Sequence, residues 1–300
     1  MKKKILLIDG HNLLFRMYYG IPSVIKNSKG IDIRGLVGFI GSIKKLVDLF
    51  KPFSIFVVFD SETSKNNNLK LDNNYKANRI DYSNYEDNPF NVLPLIKKSL
   101  KFLNINYIEV INYEADDYIS SLCNNNLYEY IIVSTDRDFI QLVSSNVFLY
   151  VPNGKNSILY NEEEVINKFN IPVSKYILYK SIIGDKSDNI KGIRGIGKKT
   201  AEKILKYNSI DNYILDNNSK ITNLLINNRE LINKNIQLIT LNKNIKTNII
   251  FNPISDLINL KTYEIIKSID EFWFIVFMIF VIMNVGGMLW KKVLHYYLWL

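Results

Sequence analysis

An α/β fold on a mostly parallel sheet flanked by helices, with a helical part behind it, is what this sequence of 300 residues predicts. Three observations carry the prediction. Four short runs, KILLID (4–9), FSIFVVFD (53–60), YIEVI (107–111) and YIIVSTD (130–136), are rich in Ile and Val with little alternation, the pattern of strands buried on both faces. Segments with apolar residues at helical spacing lie between them, which makes the strands parallel. After about residue 170 the strand signals fade, and short helical segments separated by Asn- and Gly-rich turns take over.

Each element has a local reason. KILLID follows a basic start, but its apolar run is too short for a signal peptide and reads as a first strand. Gly35–Phe50, GLVGFIGSIKKLVDLF, has helical spacing and stops before Pro52. Val92–Leu103 and Tyr118–Leu127 read the same way. Residues 61–90 are polar yet carry Tyr75, Tyr82 and Tyr85 among Lys and Arg; so long an excursion inside a compact domain is usually functional or disordered. No repeat of solenoid length is present.

Composition narrows the chemistry. Hydrophobic residues make up 47% of the chain, enough for a core, and the formal net charge of +9 favours a polyanionic partner, nucleic acid before anionic membrane. AT-rich coding, which also enriches Asn, Ile and Lys, accounts for the same excess on composition alone. Cys123 is the only cysteine, which excludes an intrachain disulfide and a thiolate zinc cluster. His11 and His295 are the only histidines, which excludes histidine metal triads and most Ser-His-Asp chemistry. Catalysis is left to carboxylates, lysines and hydroxyls.

The carboxylates fall where a sheet would gather them. Asp9 ends KILLID, Asp60 ends FSIFVVFD, Asp136 follows YIIVST, and Glu114 comes shortly after YIEVI, followed in YEADDY by Asp116 and Asp117. Asp138 adds to these from STDRDF. GDKSDN supplies Asp185 and Asp188, whose spacing predicts one helix face. The carboxyl ends of parallel strands share one edge, so acids distant in sequence converge there. Unpaired, they would raise one another's pKa and destabilise the fold. Hard divalent cations with oxygen ligands remove that penalty. Taken singly, an Asp at a strand end is ordinarily an N-cap, and Asp138 beside Arg137 an ordinary surface pair. Taken jointly, the pattern favours a metal site.

Two basic segments complement the acids. In GIRGIGKKTAEKIL, Gly192, Gly195 and Gly197 permit a tight hairpin whose backbone N–H groups approach an anion, with Lys198, Lys199 and the start of a helix beside it. Such contacts read backbone rather than bases. The alternative is a glycine-rich helix–helix turn. In YKANR, Lys76 and Arg79 would share a helical face and grip one phosphate while Tyr75 stacks on a base; a solvated, charged loop is the plainer reading.

LLIDGHNLLFR, VVFD, YKANR, YEADDYI, STDRDFIQL and GDKSDNIKGIRGIGKKTA, in this order and at these intervals, resemble the bacterial 5′ nuclease family over roughly residues 1–265. These are the flap endonuclease-like domains found at the N-terminus of DNA polymerase I and in phage and stand-alone forms. The resemblance implies a PIN-like catalytic core at 1–170 with a helical arch at about 61–90, a helical helix–hairpin–helix (H3TH) subdomain at 171–270, and a hydrophobic tail at 271–300. It implies a metal-dependent 5′–3′ exonuclease and flap endonuclease that hydrolyses DNA and RNA phosphodiesters in primer removal and repair. Asp9, Asp60, Glu114, Asp116 and Asp117 then look like ligands of the catalytic metal group, Asp136 and Asp138 like its continuation, and Asp185 and Asp188 like ligands of a more distant ion. Two or more Mg2+ or Mn2+ ions are expected. Lys76 and Arg79 resemble arch residues at the scissile phosphate, acting in catalysis with Asp117. Arg16 and Tyr75 match DNA-binding positions, and Gly192–Thr200 (including Gly195, Gly197, Lys198, Lys199 and Thr200) matches a hairpin that holds duplex backbone with a K+ ion. Expected partners are DNA with 5′ flaps or nicks, RNA primers of Okazaki fragments and a separate DNA polymerase, for a monomer in a bacterial-type cytoplasm.

Departures are local. GIDIRGLVGF carries Asp32-Ile33 where the family commonly has Pro-Thr, and SKNNNLKLDNN lacks part of the arch's usual basic and aromatic complement. No polymerase portion is expected after residue 270. The uncharged run FWFIVFMIFVIMNVGGMLW (272–290) would reach about 28 Å as a helix, nearly a bilayer core, but Lys291 and Lys292 lie beyond it, against the positive-inside tendency. A shifted reading frame or degraded terminus is the first reading of that run, a membrane anchor the second, a buried core helix the third. The competing functional readings are a non-catalytic branched-DNA-binding relic and a membrane-tethered variant; a relic should have shed some of the acids, and none is missing.

Overall fold

The computed structural model of the chain describes residues 2–27, 29–61, 85 and 87–270. The hydrophobic tail and nearly all of the expected arch, including Tyr75, Lys76, Arg79 and Tyr82, lie outside the described residues. Six strands form a mixed, mostly parallel sheet: β1 (Lys4–Asp9), β2 (Ser54–Asp60), β3 (Asn106–Val110), β4 (Glu129–Val133), β5 (Val147–Val151) and β6 (Ile158–Tyr160), in the spatial order β3-β2-β1-β4-β5-β6. The first four are the four apolar runs. β3, expected to be buried on both faces, is an edge strand whose residues before Val110 are partly or fully exposed. β5 pairs parallel with β4, and β6 pairs antiparallel with β5. Neither was expected: β6 is only three residues long, and β5 buries Val147 and Leu149 but leaves Phe148, Tyr150 and Val151 partly exposed.

The described residues divide into two compact units: one holds those up to Val57, those from 85 to Ile108 and those from Ile249 onward, and the other holds Val58 to 61 and Glu109–Asn248. In the first unit, Ile5, Leu6, Leu7 and Ile8 of β1 are wholly buried. Helix α1 (Gly10–Gly20) packs against α2 (Arg34–Phe50), which buries Leu36, Phe39, Ile40 and Ile43. The approach is close enough to require a glycine, since a Cβ at Gly38 would stand 2.7 Å from Met17 Cβ. Asp32 sets the entry to α2. Its Oδ1 accepts from the Arg34 N–H at 3.0 Å and its Oδ2 lies 2.7 Å from Arg34 Nε, so an Asx turn stands at the family's Pro-Thr position. The Arg34 guanidinium lies over the Tyr18 ring, 4.3 Å from its centroid. The Asp87 carboxylate accepts from both the Tyr18 hydroxyl at 2.7 Å and Arg34 Nη2 at 2.8 Å.

Asn88 caps a 3-10 turn (Pro89–Val92) that leads into α3 (Leu93–Phe102), close to the expected helix. The last described helix, α11 (Thr262–Asp270), packs on α2 and α3 and buries Ile265, Ile266 and Ile269. Two lysines hold the chain around it: Lys44 donates to the Ile258 and Leu260 carbonyls and Lys98 to that of Ile269.

In the second unit, α4 (Ala115–Leu122) begins before and ends before the expected 118–127, because the asparagine run after it makes a turn: Asn125 Oδ1 accepts from the Leu127 N–H at 3.1 Å and the Tyr130 hydroxyl at 2.8 Å. After α5 (Glu162–Phe169) and α6 (Tyr176–Ile183) comes a hairpin of β7 (Gly184–Asp185) and β8 (Ile190–Lys191), then α7 (Lys198–Ile204), α8 (Ile210–Asp216), α9 (Lys220–Asn227) and α10 (Arg229–Ile239). Asp185 and Asp188 therefore stand on a hairpin, not on the helix face their spacing predicts. Gly184 has φ +76°, and a Cβ there would lie 2.3 Å from the Gly192 nitrogen, so only a glycine lets the chain turn out of α6 here. The buried Asn235 of α10 donates to the Ser181 and Lys191 carbonyls, each at 2.8 Å, and so joins α10 to α6 and the hairpin.

Gly38→Ala tests the α1–α2 approach: it should lower unfolding free energy by about 1–3 kcal/mol, read as a lower urea midpoint with an unchanged slope.

Candidate active site

Strand ends and helix starts hold the acids, as the local chemistry requires. Asp9 ends β1 and accepts from the Asn12 N–H at 3.2 Å, which caps α1. Asp60 ends β2, and its Oδ1 accepts from the N–H of Ala115, the first residue of α4, at 2.8 Å. Glu114 occupies the N-cap position of α4 without a side-chain capping bond. Asp116 and Asp117 lie in the first turn, where the positive end of the helix favours anions. Asp116 Oδ1 accepts from the Asp117 N–H at 2.7 Å. Asp136 caps the 3-10 turn Arg137–Leu142 by accepting from the Asp138 N–H at 2.8 Å. The capping reading is thus right for Asp9 and Asp136.

Asp138 is no surface partner of Arg137. It is 6% exposed and pairs with the buried Lys180 of α6. Lys180 Nζ also lies 2.5 Å from Asp185 Oδ2. Asp138, Asp185 and Asp188 each offer an oxygen, and these lie within 4.8 Å of one another. Asp60, Glu114, Asp116, Asp117 and Asp136 are not members of that triad. Burial and the neighbouring Asp136 charge push the Asp138 carboxyl up, against the pull of Lys180. Burial works against the Lys180 charge, but Asp138 and Asp185 outweigh it and hold the ammonium above the ordinary lysine range. Burial also raises Asp185, but Lys180 and the Ser187 hydrogen bonds hold its carboxyl below the usual carboxylate range.

The segment leaving α10 touches both acid-bearing elements. Gln141, buried on the 3-10 turn, donates to the Asp138 carbonyl at 2.9 Å and the Ile239 carbonyl at 3.0 Å, and accepts from the Leu241 N–H at 3.0 Å. One residue on, the Asn242 N–H donates to Asp117 Oδ1 at 2.7 Å. Ser121 of α4 donates to the Asn242 carbonyl at 3.0 Å. Sequence reasoning missed Lys180 and Asn242. The one signal for Lys180 was a lone charge in the apolar run YILYKSII; Asn242 acts through its backbone and had none.

Of the expected DNA contacts, Arg16 lies on α1 and is partly buried. Gly192, Gly195 and Gly197 follow β8, with Gly195 at φ +96° and Gly197 at the N-cap of α7. Lys198 and Lys199 are exposed and Thr200 is partly buried.

Residues 4–170 match the model of the 5′-3′ exonuclease N-terminal resolvase-like domain, and residues 171–257 that of the 5′-3′ exonuclease C-terminal SAM fold. The chain belongs to the 5′-3′ exonuclease family. A 5′-3′ exonuclease of Aquifex aeolicus is 35% identical over 217 residues, covering 71% of this chain and 72% of the relative. DNA polymerase I of Caldicellulosiruptor bescii is 32% identical over 270 residues, covering 87% of this chain; the match spans 31% of the polymerase's length. The fold is similar to that of a phage T5 flap endonuclease variant solved as a pseudo-enzyme–product complex with DNA and metal ions, at a TM-score of 0.64 and 22% identity, covering 80% of this chain and 89% of that one.

The depressed Asp185 carboxyl carries a pH signature. A carboxylate held below its unfolded value contributes stability above that value, near 3.9 for Asp, and loses it as pH falls through the folded value. In protein kept free of divalent ions, Asp185→Asn should therefore lower the urea midpoint at about pH 5, where the Asp185 carboxylate is still charged. That margin should narrow below about pH 4.

Proposed function

We propose that the chain is a divalent-metal-dependent 5′–3′ exonuclease and structure-specific flap endonuclease, hydrolysing DNA and RNA phosphodiesters in primer removal and repair. The observation that carries this reading is the approach of Asp138, Asp185 and Asp188 within 4.8 Å, in a chain whose family is named for the activity. The three acids offer oxygen, the donor set of a hard cation, which favours Mg2+ or Mn2+ over a thiolate-seeking metal. Asp138, Asp185 and Asp188 would hold one ion with Asp136 beside them. Asp60, Glu114, Asp116 and Asp117, joined by Asp9 on the strength of its motif, would hold the catalytic group. When bound, such ions lower the pKa of water and offset charge on a leaving oxygen.

The chain's own residues do the rest. The α4 N-terminus and the Asn242 N–H orient Asp117, and the Ala115 N–H orients Asp60. Lys76 and Arg79 would grip the scissile phosphate, and Arg16 and Tyr75 would bind the strand near it. Gly192–Thr200, with Gly195, Gly197, Lys198 and Lys199, would hold duplex backbone, with K+ at the hairpin, and read no bases. The substrates would be DNA with 5′ flaps or nicks and RNA primers of Okazaki fragments, cut by a monomer in a bacterial cytoplasm beside a separate polymerase. No described helix is long and apolar enough to cross a membrane.

Asp117→Ala, assayed on a 5′-flapped duplex with Mg2+, should slow cleavage by roughly three orders of magnitude, a loss of several kcal/mol of metal-dependent stabilisation. Duplex affinity should stay within about threefold of the parent's, since phosphate contacts dominate it; near-normal turnover would remove Asp117 from the metal group. Lys76→Ala should slow cutting while Mn2+ affinity is unchanged. Equal loss of both would contradict a phosphate role.

A further inference from the structure

Lys180 is the only charged residue in α6, YILYKSII, and its side chain does not reach solvent: the residue is 5% exposed. Lysines are almost never buried to that degree unless paired. Its Nζ is paired twice, with Asp138 Oδ1 and Asp185 Oδ2, two of the three carboxylates gathered within 4.8 Å. The third, Asp188, is 4% exposed. The Lys180 ammonium thus faces more than one carboxylate and does not by itself balance the group.

The geometry points to Lys180 as a resident counter-ion of this group, which keeps Asp138, Asp185 and Asp188 assembled without a divalent ion and shares two of them with the ion when it binds. This rests on the reading of the three acids as metal ligands. Without Lys180, the Asp138 and Asp185 carboxylates would lose the one cation with which both are paired, and repulsion would spread them apart. With Lys180, an incoming ion shares Asp138 and Asp185 with a positive neighbour, which weakens its hold before substrate arrives. An ordinary solvated lysine does neither. Lys180 is thus a positioning residue: it sets where the oxygens stand and how many positive charges the group accepts.

The test is thermal unfolding of the full chain, free of DNA, in EDTA and across a MnCl2 titration, for the parent, K180M, K180R and D138N/K180M. Removing one partner of a buried pair should lower the EDTA Tm of K180M by on the order of 10 °C, and K180R should stay close to the parent. D138N/K180M, which removes one charge of each sign, should regain most of the loss. Mn2+ should raise the Tm of K180M at a concentration about tenfold lower than it does for the parent, and this gain should vanish in the double variant. An EDTA Tm for K180M equal to the parent's overturns the proposal. So does a double variant as impaired as K180M, which would mark lost packing rather than lost charge. If K180M does not fold in EDTA, folding of D138N/K180M there supports the proposal, and failure of both overturns it. A Tm that Mn2+ moves in none of the four proteins overturns the metal-ligand reading beneath it, whatever the EDTA comparison gives.

Discussion

Carboxylates brought together in a buried place repel one another, and the second unit is arranged around that cost. Three separate stretches build the triad region: the turn after β4 brings Asp136 and Asp138, the β7–β8 hairpin brings Asp185 and Asp188, and α6 brings Lys180 to meet them. None of these placements is stable alone. Asp138 is buried with Asp136 close enough to raise its pKa, and Lys180 is buried in an apolar helix. Each becomes tolerable because the other is there. The same logic governs Asp116 and Asp117, which sit in the first turn of α4, where unpaired N–H groups favour negative charge.

The helical part is tied to this arrangement by backbone chemistry rather than by packing alone. α10 is anchored to α6 and the hairpin by the buried Asn235 amide, and the chain leaving it is held by Gln141 beside Asp138 and by Asp117 itself. A buried amide that satisfies carbonyls on two elements fixes their spacing more tightly than apolar contact, because slippage would leave polar groups unpaired. The helices that would meet duplex backbone are thereby joined to the residues that would meet the scissile bond. A shift of α10 would be felt at the Asp117 carboxylate through a single N–H.

What was legible in the sequence follows from which forces are local. β1, β2 and β4 could be read because burial on both faces writes a continuous Ile/Val run, and Asp9, Asp60 and Asp136 could be read because strand ends are marked by where that run stops. β6 was missed because three residues, ILY, are too short to write a pattern; β5, VFLYV, is as apolar a run as the one that gave β3 and was overlooked. The spacing of Asp185 and Asp188 fits a helix as well as a turn. The choice was made by the close passage of Gly184 and Gly192, a contact between positions that no local pattern relates, and by Asn189 in the left-handed region at φ 59°. Lys180 was camouflaged by a chain with 38 Lys and Arg residues, where one more lysine carries no information until its burial is seen.

On the proposed reading, the basic balance of the chain and the acidity of this group serve one substrate. A net charge of +9 attracts a polyanion from a distance, while on the proposed reading the carboxylates would repel the phosphate to be cut. Cations held by the carboxylates would reverse that local sign. If the group is filled partly by a fixed ammonium and partly by an exchangeable ion, its charge is divided between what folding supplies and what the solution supplies. The fixed share keeps the acids in place through cycles of ion loss. The exchangeable share lets the centre take up positive charge when a phosphate arrives to neutralise it, so that ion and substrate strengthen each other's binding.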